Sequence, residues 1–314
     1  MKKYFLLLLL YALSAVAHAQ ADSLFVTTSD SVRLFVKRSG KGVPVLFLHG
    51  GPGSNSTYFE KEGGRVFEKD VQLIYLDQRG CGRSDTTRNK DYSPARLVRD
   101  FEEVRQALGI GQWILMPHSF GGLLATEYAA RHPEAIRAMV YLNCTVSLPA
   151  SAASVIRKTI ELLPELKPAE VAYLLNDSVP LTDRFGNAFW HLNDKGKRYA
   201  LQFDRRESQE LDDAVMNSGP RNFEMGQNVW RFPEYLQSHS LQTESINIPV
   251  LIISGTRDYA IGPDHPRLML FPHRQVTYIP GGHALYLEHN KELYDAVRPF
   301  LLRYSSGTPS RQSR

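Results

Sequence analysis

A serine hydroxyl is a poor nucleophile unless a base takes its proton, an acid orients that base, and donors wait where negative charge will develop. This chain offers residues for each part. Ser119 lies in Met116-Pro117-His118-Ser119-Phe120-Gly121-Gly122, between an apolar run and an amphipathic one. A strand-turn-helix of that kind holds the serine on a sharp bend with its hydroxyl exposed above a sheet edge. Gly121 and Gly122 leave room for the helix to lie close to the strand. Pro117 stands where the G-x-S-x-G elbow has its first glycine; proline lacks an N–H but tolerates an extended strand end. His283, in Pro280-Gly281-Gly282-His283, and Asp258, in Gly255-Thr256-Arg257-Asp258, each follow an apolar run. All three therefore fall at the C-terminal ends of strands, with Ser119 the nucleophile, His283 the base and Asp258 the acid. Asp264 is a rival for the acid, six residues further along. The glycine-rich His49-Gly50-Gly51-Pro52-Gly53 also follows an apolar run, and the Gly51 and Phe120 N–H groups are the candidate oxyanion donors. It lacks the Lys-Ser/Thr of a phosphate-binding loop.

Positioning these residues takes a sheet. Nearly continuous apolar runs at 43–48 and 71–76, with a shorter one at 32–36, read as strands, most of them buried on both faces. Residues 94–108 carry Leu97, Val98, Phe101, Val104 and Leu108 at helical spacing, with Pro94 in the first turn and Gly109 as a stop. A strand at 113–116, a helix at 123–131 and a strand at 136–142 continue the alternation of a doubly wound, mostly parallel α/β sheet. From 147 to 246 the pattern turns helical, with amphipathic stretches at 152–163, 169–175 and 198–215. Strands return at 249–254 and 275–279, and a helix covers 285–302. The expected organisation is a core at 20–146 and 247–304 interrupted by a helical cap at 147–246, with a Ser/Gly/Pro/Arg-rich flexible tail at 305–314.

Composition bounds the rest. The 314 residues are 43% hydrophobic and 22% charged, and the formal net charge is +4. So small an excess gives no argument for nucleic acid as a partner. Lys2 and Lys3, the apolar stretch that follows and Ala17-His18-Ala19 read as a signal peptide, 1–19, with cleavage expected before Gln20. The expectation is an exported protein, periplasmic or secreted, with no stable membrane anchor, since the apolar run is shorter than a spanning helix needs. Cys81 and Cys144 are expected as free thiols. No H-E-x-x-H or hydride-transfer fingerprint is present, so the chemistry is expected to need no cofactor and no metal.

Together, His49-Gly50-Gly51-Pro52-Gly53, Asp77-Gln78-Arg79-Gly80-Cys81-Gly82-Arg83-Ser84 and the Ser119 turn resemble the proline iminopeptidase group of α/β-hydrolases. The order Ser119, Asp258, His283 is also the order of that fold. The resemblance implies an α/β-hydrolase fold, a Ser119–His283–Asp258 triad, an oxyanion hole from Gly51 and Phe120, a helical cap, and release of an N-terminal residue, often proline, from peptides. Two departures stand out. Clear members carry Gly-Gly-Ser-Trp-Gly at the elbow, and they use cap carboxylates to hold the substrate's ammonium. Burying that cation unpaired costs several kcal/mol, so an aminopeptidase must supply a partner. Glu224 is the first candidate here, followed by Glu207 and Glu210. Asp77 and Arg79 are expected to order their loop through hydrogen bonds and ion pairing. The aromatic residues Phe189, Trp190, Trp230 and Phe232 are candidates for an apolar pocket. The partner is a small peptide or ester. The alternatives are an esterase, lactonase or amidase with the same triad, and a non-catalytic protein that binds a small ligand.

Overall fold

The computed structural model describes residues 22–305. The expected signal peptide, 1–19, and most of the expected tail, 305–314, lie outside the described residues. Ten strands form in chain order: β1 (Asp22–Thr27), β2 (Arg33–Gly40), β3 (Pro44–Leu48), β4 (Gln72–Leu76), β5 (Cys81–Gly82), β6 (Trp113–Pro117), β7 (Ile136–Leu142), β8 (Asn222–Phe223), β9 (Val250–Gly255) and β10 (Arg274–Ile279). Eight of them make one sheet in the order β1-β2-β4-β3-β6-β7-β9-β10, while β5 and β8 pair apart. The β1–β2 and β2–β4 pairs are antiparallel, and every pair from β4 to β10 is parallel.

The continuous apolar runs have the meaning expected of strands covered on both faces. On β3, Leu46 and Leu48 join one core while Val45 and Phe47 join the other, and β4 and β6 divide in the same way. Helices α1 (Pro94–Ala107) and α2 (Gly121–Arg131) cover the first face. The Ser93 hydroxyl accepts the Arg96 N–H and starts α1, with Pro94 next; Gly109, at φ 65°, turns the chain away just beyond its end. The second face is covered by α11 (Asn290–Ser305), through Leu293, Val297, Phe300 and Leu301.

Between β7 and β9 lie α3 (Leu148–Leu162), α4 (Pro168–Leu175), α5 (Leu181–Asp194), α6 (Tyr199–Gln202), α7 (Arg206–Asn217), α8 (Glu224–Asn228) and α9 (Ser240–Thr243). They carry a small apolar cluster of their own that includes Val155, Ile156, Leu174, Leu192 and Leu201. Several elements differ from the sequence reading. Strand β1 has no counterpart there, because it is an edge strand with mostly exposed residues and so lacks an apolar run. Helix α5 has none either, its interior holding Gly186 and Asn187. The single helix expected over 198–215 is broken at Phe203 and Arg205, both extended. The last helix is likewise divided at His289, with α10 (Leu285–Glu288) before it.

Candidate active site

The elbow is built by local necessity. Ser119 ends the turn after β6 with φ 57°, a left-handed conformation that costs a non-glycine residue about 1–3 kcal/mol. Its N–H donates to the Leu142 carbonyl at 3.2 Å, and the Gly122 N–H donates back to the Ser119 carbonyl at 3.0 Å. A Cβ on Gly121 would overlap the Leu48 carbonyl oxygen, and one on Gly122 would sit 2.6 Å from the Cys144 Cβ. Any side chain at either position would push α2 off the sheet and tilt the serine.

The Asp258–His283 pair forms on the same sheet edge. His283 Nδ1 lies 2.9 Å from Asp258 Oδ2, and both side chains are buried. The second Asp258 oxygen accepts the Ile261 N–H at 3.1 Å. Asp264 is 79% exposed and pairs with Arg267 instead, so it does not compete for the histidine.

The His49–Gly53 loop meets the elbow closely. A Cβ on Gly50 would lie 2.6 Å from the Ser119 Cβ. The Gly50 N–H donates to the Tyr58 hydroxyl at 3.3 Å. Among the described residues, neither the Gly51 nor the Phe120 N–H is given to a protein acceptor.

Three residues that sequence reasoning did not single out complete the edge. Asn143, buried and at φ 46°, donates from Nδ2 to the Gly282 and His283 carbonyls at 2.9 and 2.7 Å, and its Oδ1 accepts the Gly255 N–H at 2.8 Å. It ties the acid loop to the histidine loop. Tyr58 reaches His118 Nδ1 at 2.8 Å, and the His118 ring packs 4.6 Å from that of His283. Burial, with the neighbouring His283, holds His118 well below the usual histidine range, so it is a neutral imidazole. The only sequence signal for these three was their place just after strands or within the turns.

The carboxylates around the insertion differ in burial and partners. Glu224, at the start of α8, forms an ion pair with the half-exposed Lys90, while both its oxygens are shielded from water and accept no hydrogen bond. Glu207 and Glu210 are exposed on α7. On the same helix Asp212 turns inward and accepts the Tyr286 hydroxyl at 2.8 Å. Tyr286 packs against Tyr58 and His118. Close by, in the turn Phe59–Gly63, both carboxylate oxygens of Glu62 are shielded from water and accept no hydrogen bond. Burial, reinforced by the Asp212 charge, raises Glu62 to about 7, and burial also raises Asp212. Trp190 is 59% exposed, Phe189 packs within the cap cluster, and Trp230 and Phe232 pack against the sheet core, so these four do not converge on one pocket.

The Asp77–Ser84 segment is scaffolding. Burial pushes the Asp77 carboxyl up, but hydrogen bonds and charge from Arg83 hold it below the usual range; it also accepts from the Ser56 N–H and hydroxyl. Arg79 is fully buried and bridges Asp100 and Asp30. Both Cys81 and Cys144 are free and buried. Among the described residues, no group of three His, Cys, Asp or Glu side chains could hold a metal ion.

A serine on a left-handed elbow, a buried aspartate–histidine pair and two unpaired backbone N–H groups gather at one sheet edge. Residues 43–290 match the model of the alpha/beta hydrolase fold family, and the chain belongs to that family. Within it, the similarity is to the proline iminopeptidase group. The proline iminopeptidase of Neisseria gonorrhoeae is 37% identical over 133 residues, 41% of this chain and 42% of that one, so the chain spans about two fifths of the length of that relative. The proline iminopeptidase of Lactobacillus acidophilus is 28% identical over 246 residues, covering 74% of this chain and 80% of its own. A crystal structure of a proline iminopeptidase-related protein from Thermus thermophilus superposes with a TM-score of 0.73 at 21% identity, covering 91% of this chain and 99% of its own.

Proposed function

We propose that this hydrolase works through an acyl-enzyme on Ser119 and removes an N-terminal residue, proline or another small apolar one, from peptides. The observation that carries the first part is the buried Asp258–His283 hydrogen bond on the sheet edge where Ser119 sits strained on its elbow. His283 takes the Ser119 proton as Oγ attacks the scissile carbonyl. The oxyanion is met by the Gly51 and Phe120 N–H groups, and Asp258 stabilises the imidazolium. The C–N bond breaks as His283 returns the proton to the leaving amine. Water, activated by the same histidine, then releases the acid and restores Ser119.

The second part is supported by the likeness to proline iminopeptidases and by two inward carboxylates near Tyr286, Asp212 and Glu62. Burial raises both, and the Asp212 charge adds to the effect on Glu62. An ammonium between them would offset that burial and repulsion. They join Glu224, whose ion-pair partner Lys90 is half exposed, as candidate amine partners. The Lys90–Glu224 ion pair favours a second reading, an esterase or lactonase with the same triad. Export with cleavage before Gln20 is part of the proposal, and N-terminal sequencing of the mature protein checks it.

Three substrates on one plate separate the readings: a free-amine prolyl arylamide, its N-acetylated analogue and a simple ester. The wild type is expected to cleave the free amine fastest, Ser119→Ala to cleave none, and Asp212→Asn to lose the preference for the free amine. Equal rates on the two arylamides, or activity on the ester alone, would remove the aminopeptidase reading. Turnover retained by Ser119→Ala would remove the serine from the mechanism.

A further inference from the structure

Residues 201–205 lie within the helical insertion, yet their hydrogen bonds go to the loops that carry Asp258 and His283. The Leu201 carbonyl accepts the Tyr259 and Ala260 N–H groups at 3.2 and 3.0 Å, directly after the acid. The Gln202 carbonyl accepts the N–H of His283 itself at 2.7 Å and that of Ala284 at 3.0 Å. The Asp204 carboxylate accepts from Arg257 Nη2 at 2.7 Å and lies 2.8 Å from His289 Nε2, so it reaches the residues that flank both loops. Its own N–H and that of Arg205 end on the buried Glu288 carboxylate at 2.8 and 3.2 Å. The extended backbone at Phe203 and Arg205, which breaks the helix, is what aims these groups at the core.

The His283 peptide is thus held from two sides. Asn143 grips its carbonyl from the sheet, and Gln202 takes its N–H from the insertion. The fit leaves no slack, since a Cβ on Gly282 would lie 2.6 Å from the Gln202 carbonyl oxygen.

We propose that residues 201–205 form a strap that positions the acid and histidine loops, with Asp204 as its positioning side chain. A displacement of the insertion is then transmitted to the Asp258–His283 pair, and turnover depends on where the insertion sits. The inference rests on the serine-hydrolase reading above. Asp204 touches neither substrate nor the reacting atoms; it acts through the backbone of the loops it ties. Catalytic geometry tolerates little error, and a misplacement of about 1 Å can cost on the order of a hundredfold in rate.

The test uses the full chain and two ways of loosening the strap. Asp204→Ala removes the tie to Arg257 and His289, and Gly282→Ala wedges Gln202 away from the histidine loop. Each variant is measured for kcat, KM, thermal midpoint and the rate at which a fluorophosphonate probe labels Ser119, where an Oγ–P bond forms and fluoride leaves. Expected for both is a fall of about tenfold in kcat and in labelling rate, with KM within about twofold of wild type. Asp204→Glu is expected to recover most of the loss. Wild-type kcat and labelling in both variants would overturn the strap, as would an effect confined to KM. A loss that follows unfolding in both variants and is not recovered by Asp204→Glu would also overturn it. Labelling that persists in Ser119→Ala would instead defeat the serine reading itself, whatever the strap does.

Discussion

The C-terminal edge of the sheet and the helical insertion above it are built to different tolerances. At the edge, Gly50, Gly121 and Gly122 each face atoms that would collide with a Cβ, and Ser119 and Asn143 hold left-handed backbone. Interiors packed this closely have one arrangement, because any change of volume is felt at once. In the insertion, α4 buries only Leu174 and α7 only Ser208, and a Cβ added at Gly186 or Gly219 would meet nothing within 4 Å. The edge fixes the chemistry. Parts of the insertion still share the edge's precision: residues 201–205, and Gly226, whose N would lie 2.6 Å from a Cβ on Gly53.

The contrast can be broken most sharply at the acid. Asp258→Asn is expected to lower kcat by about ten-thousandfold, whereas Asp264→Asn on its exposed side chain changes it by less than about twofold. Comparable losses in the two variants would mean that the wrong carboxylate orients His283. At the elbow, Gly121→Ala forces a Cβ into the Leu48 carbonyl and is expected to destabilise the fold by about 2–3 kcal/mol in denaturant unfolding.

Where insertion and core meet, Glu62 gives a pH signature. Its folded carboxyl sits at about 7 against an ordinary 4.5. The folded chain therefore holds that proton more tightly than the unfolded one, and the associated stability is present below the ordinary value and lost as pH rises through 7. Glu62→Gln removes this dependence. Discounted for partial exposure, the wild type is expected to lose about 1–2 kcal/mol relative to the variant between pH 4.5 and about 8. Parallel stability profiles would show that Glu62 is solvated in the folded state. The smallest effect lies in the insertion itself. Gly186→Ala, inside α5 with open space around it, is expected to stabilise by about 0.5–1 kcal/mol and leave kcat unchanged.

Much of the edge was legible beforehand because its code is local. A strand, a tight turn and a helix leave their marks within a dozen residues, and the buried strands alternate their side chains between two cores as their apolar runs require. The helix over 198–215 shows where that reading fails. No glycine or proline marks a stop between Phe203 and Leu211, yet the side chain of Glu288 takes the two N–H groups that a helix would have used. Periodicity cannot report a hydrogen bond made by a residue more than eighty positions away.

The same distinction separates the two kinds of carboxylate. The family, the order Ser119, Asp258, His283 and the glycine-rich turns can be read from the chain, since each depends on a few neighbouring residues and on the strands they follow. Packing alone sets Lys90 against Glu224 and turns Asp212 inward onto Tyr286. It also decided that a stretch of the insertion would grip the histidine loop. Those outcomes depend on which distant charges and backbone groups packing brings together, and burial makes each such pairing matter because an unanswered charge or donor there is costly.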